Sequence, residues 1–239
     1  MSTAGIVLAG GSGSRLQKDV NKVFLTLGER EMLAYSLDTM DRSPLIDVLV
    51  LVVRDADRPL AEQLIASAGL AKLRAVVPGG DSRHQSERHG LEAIAGDIRD
   101  GSIDLVSIHD GARPFMTTAL LHATLQAARD HGGGVPGLPI DGPVYEQSEE
   151  GTIALPHHRL RRMQTPQSFR AGPLLAAYRQ AETEGTEGVD TAETATRYSD
   201  LAIKVVPGDP RNIKVTFVED IFRAEEYAAA FERGHWKDT

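Results

Sequence analysis

Short, wholly apolar segments alternate with helical patterns along this chain, and they constrain its fold more than any other feature. Residues 48–53 read Val-Leu-Val-Leu-Val-Val, and a strand that is apolar on both faces is typical of a parallel sheet covered on both sides by helices. Similar segments occupy residues 5–8, 73–77 and 105–108. The residues between these strands carry helical patterns, at 32–40, 59–68, 86–94 and 119–128. We therefore predict an α/β, Rossmann-like fold with a mostly parallel sheet, in which ligands bind beyond the C-terminal strand ends.

The alternation stops between about residues 132 and 162, where glycine and proline are frequent. Two extended pieces, residues 144–147 and 152–155, flank Ser-Glu-Glu-Gly, which predicts a β-hairpin. We interpret it as a projecting arm at about residues 137–160 of a single domain spanning residues 1–239, and a plain surface loop is the alternative. Beyond it we predict further helices and strands, at residues 171–184, 191–198, 201–206, 213–216 and 219–231.

Composition and charge exclude several classes of function. The chain has 239 residues, no cysteine and a formal net charge of −8. Without cysteine there can be no disulfide, thiolate metal site or cysteine nucleophile, and the negative charge argues against nucleic acid or an anionic membrane as a partner. No apolar stretch approaches the ~20 residues that a membrane helix needs. The N-terminus leaves no room for a signal peptide before the first strand, so we expect a cytoplasmic protein.

The first candidate site is the glycine-rich loop after the first strand, Leu8-Ala9-Gly10-Gly11-Ser12-Gly13-Ser14-Arg15. Backbone N–H groups in such a turn can converge on phosphate oxygens because no Cβ blocks their approach. Arg15 and Lys22 add cations for the negative charge that develops in phosphoryl or nucleotidyl transfer. The loop is neither a Walker A motif nor a dinucleotide fingerprint. It predicts a nucleoside triphosphate site, and an ordinary turn between strand and helix is the alternative.

Four later segments carry polar residues that are weaker signals when each is taken alone. Residues 78–86 join a strand to a helix start that could bind a base or a phosphate, although helix capping explains them as well. Asp110 follows a buried strand and could hold Mg²⁺ with Arg113 beside it, although Asp-Gly is also a common turn. Lys214 lies in a predicted late strand, where a lysine usually points to solvent. The fourth segment is basic and precedes Gln164: His157, His158, Arg159, Arg161 and Arg162.

In this order and spacing, the five segments resemble the methylerythritol phosphate cytidylyltransferase family and its ribitol phosphate relatives, from Ile6 to about Tyr227. That family joins CTP to a polyol phosphate, releases pyrophosphate, uses Mg²⁺ and forms homodimers through interlocking hairpin arms. The resemblance implies a CTP-dependent nucleotidyltransferase, with 2-C-methyl-D-erythritol 4-phosphate of isoprenoid precursor synthesis as the first candidate acceptor.

The resemblance also implies roles for individual residues on the nucleotide side. Arg15 and Lys22 resemble the pair that stabilises the transition state, and Asp110 resembles the aspartate that holds Mg²⁺. The residues that resemble the CTP contacts are Ala9, Gly10, Gly11, Gly13, Ser14, Gly80, Asp81, Arg83, Ser86, Asp110, Gly111 and Ala112.

On the acceptor side, Lys214 would position the substrate phosphate for in-line attack on the α-phosphorus of CTP, so no covalent enzyme intermediate is needed. The other residues that resemble acceptor contacts are Arg113, His157, Arg159, Thr165 and Asp190.

Three acceptor-side positions depart from the family pattern. Pro143 lies where the arm usually carries a threonine-rich segment ending in lysine, His157 aligns with an arginine, and Val189 replaces a threonine. These changes keep two alternatives open: the same chemistry on another acceptor, such as ribitol 5-phosphate or a phosphonate, and a non-catalytic, nucleotide-binding regulatory protein.

Overall fold

A computed structural model of the chain describes residues 2–11, 21–149 and 151–233. Within these ranges the chain forms twelve strands, and most of the predicted ones lie within a few residues of their expected bounds. The strands are β1 (Thr3–Ala9), β2 (Thr26–Leu27), β3 (Arg30–Glu31), β4 (Val48–Val53), β5 (Leu73–Pro78), β6 (Leu105–Asp110), β7 (Gly132–Pro139), β8 (Val144–Ser148), β9 (Gly151–Leu155), β10 (Arg161–Met163), β11 (Gln167–Arg170) and β12 (Ala202–Pro207).

The helices lie between the strands, as the sequence predicts. Several begin at residues whose side chains accept an N–H of the first turn, for example Ser82, Thr117 and Asp190. The helices are α1 (Met32–Arg42), α2 (Arg58–Ala68), α3 (Arg83–Glu92), α4 (Ala95–Arg99), α5 (Thr118–His131), α6 (Ala171–Thr183), α7 (Thr191–Tyr198) and α8 (Val218–Glu232). None of these helices has both the length and the apolar composition that crossing a membrane requires.

The main sheet has the strand order β10-β7-β11-β6-β1-β4-β5, and β12 also pairs with β7. The pairs β1–β4, β1–β6, β4–β5 and β7–β12 are parallel, whereas β11 and β10 run antiparallel to their neighbours. The predicted, mostly parallel sheet is confirmed.

Apolar side chains fill both faces of this sheet, which explains the unbroken apolar runs. In β4, Leu51 and Val53 join the core beneath α1, whereas Val50 and Val52 join the core beneath α3. Successive residues of a strand point to opposite faces, so a strand covered by helices on both sides needs apolar residues at every position.

Two predictions about single segments are wrong. Residues 132–139, whose glycines and prolines predict an irregular segment, form the buried strand β7. The predicted strand at residues 213–216 is an extended segment outside the sheet, in which the Val215 N–H donates to the Ala112 carbonyl at 2.9 Å.

The predicted hairpin is confirmed. Strands β8 and β9 pair antiparallel with each other, from Val144 opposite Leu155 to Ser148 opposite Gly151, and form a separate two-stranded sheet. Tyr145 and Ile153 are 58% and 64% exposed in this chain.

Candidate active site

A cleft of about 490 Å³ opens beyond the C-terminal ends of β1, β5 and β6. Its size is typical of a small-molecule site, and its position is the one that a doubly wound sheet predicts. Eleven sequence-predicted site residues line it: Ala9, Gly10, Gly11, Lys22, Gly80, Asp81, Arg83, Ser86, Asp110, Ala112 and Lys214.

The structure does not place the other predicted residues on the lining of this cleft. Gly13, Ser14 and Arg15 fall outside the described residues. Gly111 packs behind the cleft, where a Cβ would approach the Leu33 side chain to 2.8 Å. The remaining five lie on the acceptor side and are placed below.

The turns after β1 and β5 touch each other, which favours glycine in both. A Cβ on Gly10 would lie 3.1 Å from the Ser86 hydroxyl, and a Cβ on Gly79 would lie 3.4 Å from the Gly10 Cα. The Ser86 hydroxyl accepts the Gly80 N–H at 3.0 Å and donates to the Ser82 carbonyl at 2.9 Å. The glycines therefore bring two strand ends together around one wall of the cleft.

Asp110 is the electrostatic centre of the cleft. Its Oδ1 accepts two hydrogen bonds from Arg83 at 3.3 Å, and its Oδ2 lies 2.7 Å from the Lys214 Nζ and 3.8 Å from the Arg113 Nε. Burial alone would raise the pKa of Asp110, but the charges of Arg83, Lys214 and Arg113 hold that pKa well below its usual range. One ionised carboxylate thus gathers three cations at the cleft.

Buried polar groups hold Asp110 in place from behind. Its N–H donates to the Thr165 hydroxyl at 3.0 Å, and that hydroxyl lies 3.1 Å from the His109 Nδ1. The His109 Nε2 lies 3.0 Å from the Arg113 carbonyl, and burial lowers the pKa of His109 to about 4. The ring is therefore neutral, with Nε2 donating to the carbonyl and Nδ1 accepting from Thr165.

Lys214 reaches Asp110 because the extended segment around it is tied to the sheet. The Asn212 side-chain amide donates to the Thr165 carbonyl at 2.7 Å, and the Asn212 carbonyl accepts hydrogen bonds from Arg113 and Gln164. The general expectation that a lysine in a late strand points to solvent is therefore wrong here.

On the acceptor side, the structure brings only some predicted residues to Asp110. Arg113 and Thr165 contact it, whereas Asp190 caps α7, accepting the Glu193 N–H at 2.9 Å and the Gln167 side-chain amide at 2.8 Å. His157 and Arg159 lie in an exposed turn between β9 and β10 and do not line the cleft formed by the described residues.

Sequence reasoning missed a buried network on the opposite wall. The Asn21 side-chain amide donates to the Ala9 carbonyl and to Asp57, both at 2.8 Å, and Asp57 forms a two-point ion pair with Arg54 at 2.6 and 2.8 Å. Asn21 and Arg54 both line the cleft. The polar residues directly after β4 were the available signal, since that strand end also faces the ligand side of the sheet.

Comparison with known proteins gives a consistent answer. Residues 3–230 match the model of the IspD family, 2-C-methyl-D-erythritol 4-phosphate cytidylyltransferase. A protein of that name from Geobacter metallireducens is 36% identical over 230 residues, covering 95% of this chain and 97% of that protein. The protein of the same name from Geobacillus kaustophilus is 35% identical over 233 residues, covering 96% of this chain and 98% of that protein.

Solved structures agree. The 4-diphosphocytidyl-2C-methyl-D-erythritol synthase of Anaerococcus prevotii superposes with a TM-score of 0.83 at 28% identity, covering 95% of this chain and 96% of the other. The 2-C-methyl-D-erythritol 4-phosphate cytidylyltransferase of Thermus thermophilus gives 0.74 at 26% identity, covering 94% and 98%. With its glycine-walled cleft, its cation-ringed aspartate and a match over nearly its whole length, the chain belongs to the IspD family of cytidylyltransferases.

Proposed function

We propose that this chain transfers a cytidylyl group from CTP to 2-C-methyl-D-erythritol 4-phosphate and releases pyrophosphate. The observation that carries the proposal is Asp110, a buried carboxylate that gathers Arg83, Arg113 and Lys214 at the mouth of a glycine-walled cleft. Phosphoryl-type transfer depends on positioned cations around the reacting phosphates, and this cluster supplies them.

The nucleotide occupies the cleft between the two glycine turns. Ala9, Gly10 and Gly11, together with Gly13 and Ser14, form the triphosphate loop. The turn of Gly80 and Asp81, together with Arg83 and Ser86 at the start of α3, holds the cytosine and ribose, with Gly111 and Ala112 beside the ribose. Lys22 lines the cleft next to this loop, and with Arg15 it meets the negative charge that develops on the α-phosphate and pyrophosphate.

A divalent cation such as Mg²⁺ fits this donor set. Mg²⁺ is commonly bound by one or two carboxylates together with substrate phosphates and water, and Asp110 would be its protein ligand. The described residues contain no group of three or more acidic or histidine side chains that could hold a metal without such help. When bound, the ion would neutralise negative charge on the triphosphate.

The acceptor approaches from the side of Lys214, Arg113 and Thr165. An oxygen of its phosphate attacks the α-phosphorus of CTP, the bond to the bridging oxygen breaks, and pyrophosphate leaves with that electron pair. Lys214 neutralises the attacking phosphate and aligns it, and its pairing with Asp110 holds it ready. Asp190 contributes to acceptor binding, and His157 and Arg159 do so from the arm of a second copy in a homodimer.

The test is a steady-state assay with CTP, a divalent cation and 2-C-methyl-D-erythritol 4-phosphate, in which pyrophosphate release and the cytidine diphosphate product are measured. We expect stoichiometric formation of both, and we expect chelation of the metal to abolish turnover. Calorimetry that shows CTP binding without turnover of any acceptor would favour the non-catalytic alternative.

A different acceptor is the second candidate, and Val189 favours it because this side chain is 84% exposed where the family has a threonine. The same assay with ribitol 5-phosphate and with a phosphonate measures kcat/KM for each of these acceptors. If either value is higher than that for methylerythritol phosphate, that compound is the preferred acceptor.

A further inference from the structure

Beneath the cleft, Glu87 is a fully buried carboxylate that none of the roles above uses. It lies in α3, one turn after Arg83, and its Oε1 is 2.7 Å from the Arg83 Nη1. Tyr178 of α6 donates to its Oε2 at 2.6 Å, and Thr191 of α7 donates to its Oε1 at 2.5 Å. Three elements thus converge on one carboxylate.

Stability alone does not account for a charge in this place. A carboxylate in the interior is costly unless it is paired and hydrogen-bonded, and a well-packed apolar side chain of similar size is often no less stable. Burial raises the pKa of Glu87, and the charge of Arg83 opposes that change. What the arrangement supplies is a fixed direction for the Arg83 guanidinium.

Arg83 is held between two carboxylates. Its Nε and Nη2 donate to Asp110, and its Nη1 lies in an ion pair 2.7 Å from the Glu87 Oε1 but outside hydrogen-bond geometry, so rotation of the planar group breaks at least one of these contacts. Thr191 follows directly after Asp190, which caps α7. Glu87 therefore links Arg83, on the nucleotide side of the cleft, to the start of α7, which carries Asp190 on the acceptor side.

We propose that Glu87 is a positioning residue that fixes Arg83 against Asp110 and so shapes the CTP site. The proposal rests on the function proposed above. Without the Glu87 charge, Arg83 is free to follow Asp110 or turn into the cleft. The nucleotide then has to reorder Arg83 as it binds, which weakens CTP binding and leaves acceptor binding unchanged.

The variant Glu87→Gln keeps the shape of the side chain and removes its charge. We expect the KM for CTP to rise about tenfold, as is usual for groups that orient a ligating residue, while the KM for the acceptor and kcat stay within about threefold. The matched control is Glu92→Gln, which removes a carboxylate from the same helix where it pairs with Arg179 of α6 at 2.7 and 2.8 Å. The control should leave all three constants unchanged.

Combination with Arg83→Ala separates positioning from general support of the fold. If Glu87 acts through Arg83, adding Glu87→Gln to Arg83→Ala leaves the KM for CTP within about twofold of that of Arg83→Ala alone. Additive losses, or a fall in kcat with an unchanged KM for CTP, would overturn the inference.

Thermal melts identify any variant that does not fold. If a Glu87 variant does not fold, Tyr178→Phe and Thr191→Val take its place in the test, because each removes one hydrogen-bond donor to Glu87. Each of these two variants must raise the KM for CTP, whereas Thr191→Ser, which keeps a hydroxyl, must leave that KM at the wild-type value. Absence of turnover in the wild-type protein would contradict the proposed function. If the wild type is active but the Glu87 variants keep its KM for CTP, only the inference about Glu87 is contradicted.

Discussion

Residue by residue, the cleft is organised by one carboxylate, Asp110, which holds three cations in place before a ligand arrives. Asp110 pairs with Lys214 at 2.7 Å and with Arg83 at 3.3 Å. Asp110 itself is buried, whereas Lys214 is exposed and Arg83 is half-buried. Such a group is already aligned, so binding a triphosphate exchanges ion-pair partners and does not have to gather the cations.

Lys22 lines the cleft beside Gly10 and Gly11, and we have proposed that it meets the charge that grows during the reaction. We expect Lys22→Ala to lower kcat on the order of a hundredfold and to weaken CTP binding less than about tenfold, because the charge it meets is largest in the transition state. Single-turnover kinetics and CTP calorimetry measure the two quantities. The control is Lys204→Ala, a change in the exposed edge strand β12. Equal losses of binding and turnover would contradict the role.

His109 makes stability depend on pH. Because burial lowers its pKa from 6.5 to about 4, the folded protein keeps the ring neutral where the unfolded chain is protonated. The stability that this difference supplies is complete above pH 6.5 and is lost as the pH falls toward 4. The destabilisation by His109→Gln should therefore shrink on acidification, by on the order of 3 kcal/mol in urea titrations. A constant difference across that window would refute this.

Among the elements, β7 shows why glycine can specify a buried strand. A Cβ on Gly134 would lie 2.2 Å from the Thr124 carbonyl oxygen of α5, so the helix and the strand approach more closely than side chains permit. The glycines that disrupt the apolar pattern in the sequence are thus what allows this packing.

We predict that Gly134→Ala lowers the free energy of unfolding by about 1–3 kcal/mol, because the methyl group meets backbone that cannot move aside easily. The control is Gly172→Ala in α6, where a Cβ has no neighbour within 4 Å. That change should stabilise by about 0.5–1 kcal/mol, since alanine is the better helix former. Chemical denaturation measures both, and a neutral result for Gly134→Ala would count against close β7–α5 packing.

At the scale of the whole molecule, the hairpin of β8 and β9 is an isolated two-stranded sheet, which is marginally stable by itself in water. Tyr145 opposes Ala154, whereas Ile153 opposes Glu146, so the two large apolar side chains lie on opposite faces of the hairpin. The homodimer that we propose would cover both faces and bury these side chains.

We expect the double change Tyr145→Ser and Ile153→Ser to raise the dimer dissociation constant on the order of a hundredfold, because each apolar side chain would lose its burial in the interface. Sedimentation velocity over a concentration series measures this dissociation constant. Glu146→Gln on the same hairpin is the control. A wild-type protein that is monomeric at every concentration would rule out the arm as a dimer interface.

The amino-acid sequence determined the local chemistry of this protein. Apolar runs such as residues 48–53 define strands, because a strand buried on both faces can carry a polar residue only where that residue finds a partner. The glycines after β1 and β5, with Asp110 at the end of β6, marked cleft residues because ligand-binding turns follow strand ends, whereas Lys214 was marked only by the resemblance to the family.

Only the tertiary structure decided which distant residues meet. Lys214 turns toward Asp110 because Asn212 and Val215 bond to neighbouring segments, and Gly134 becomes strand because α5 covers it. Glu87 reads in sequence as one polar residue of a polar helix. It becomes a buried partner of Arg83 only because α6 and α7 close over it, and such long-range packing leaves no periodic pattern in the chain.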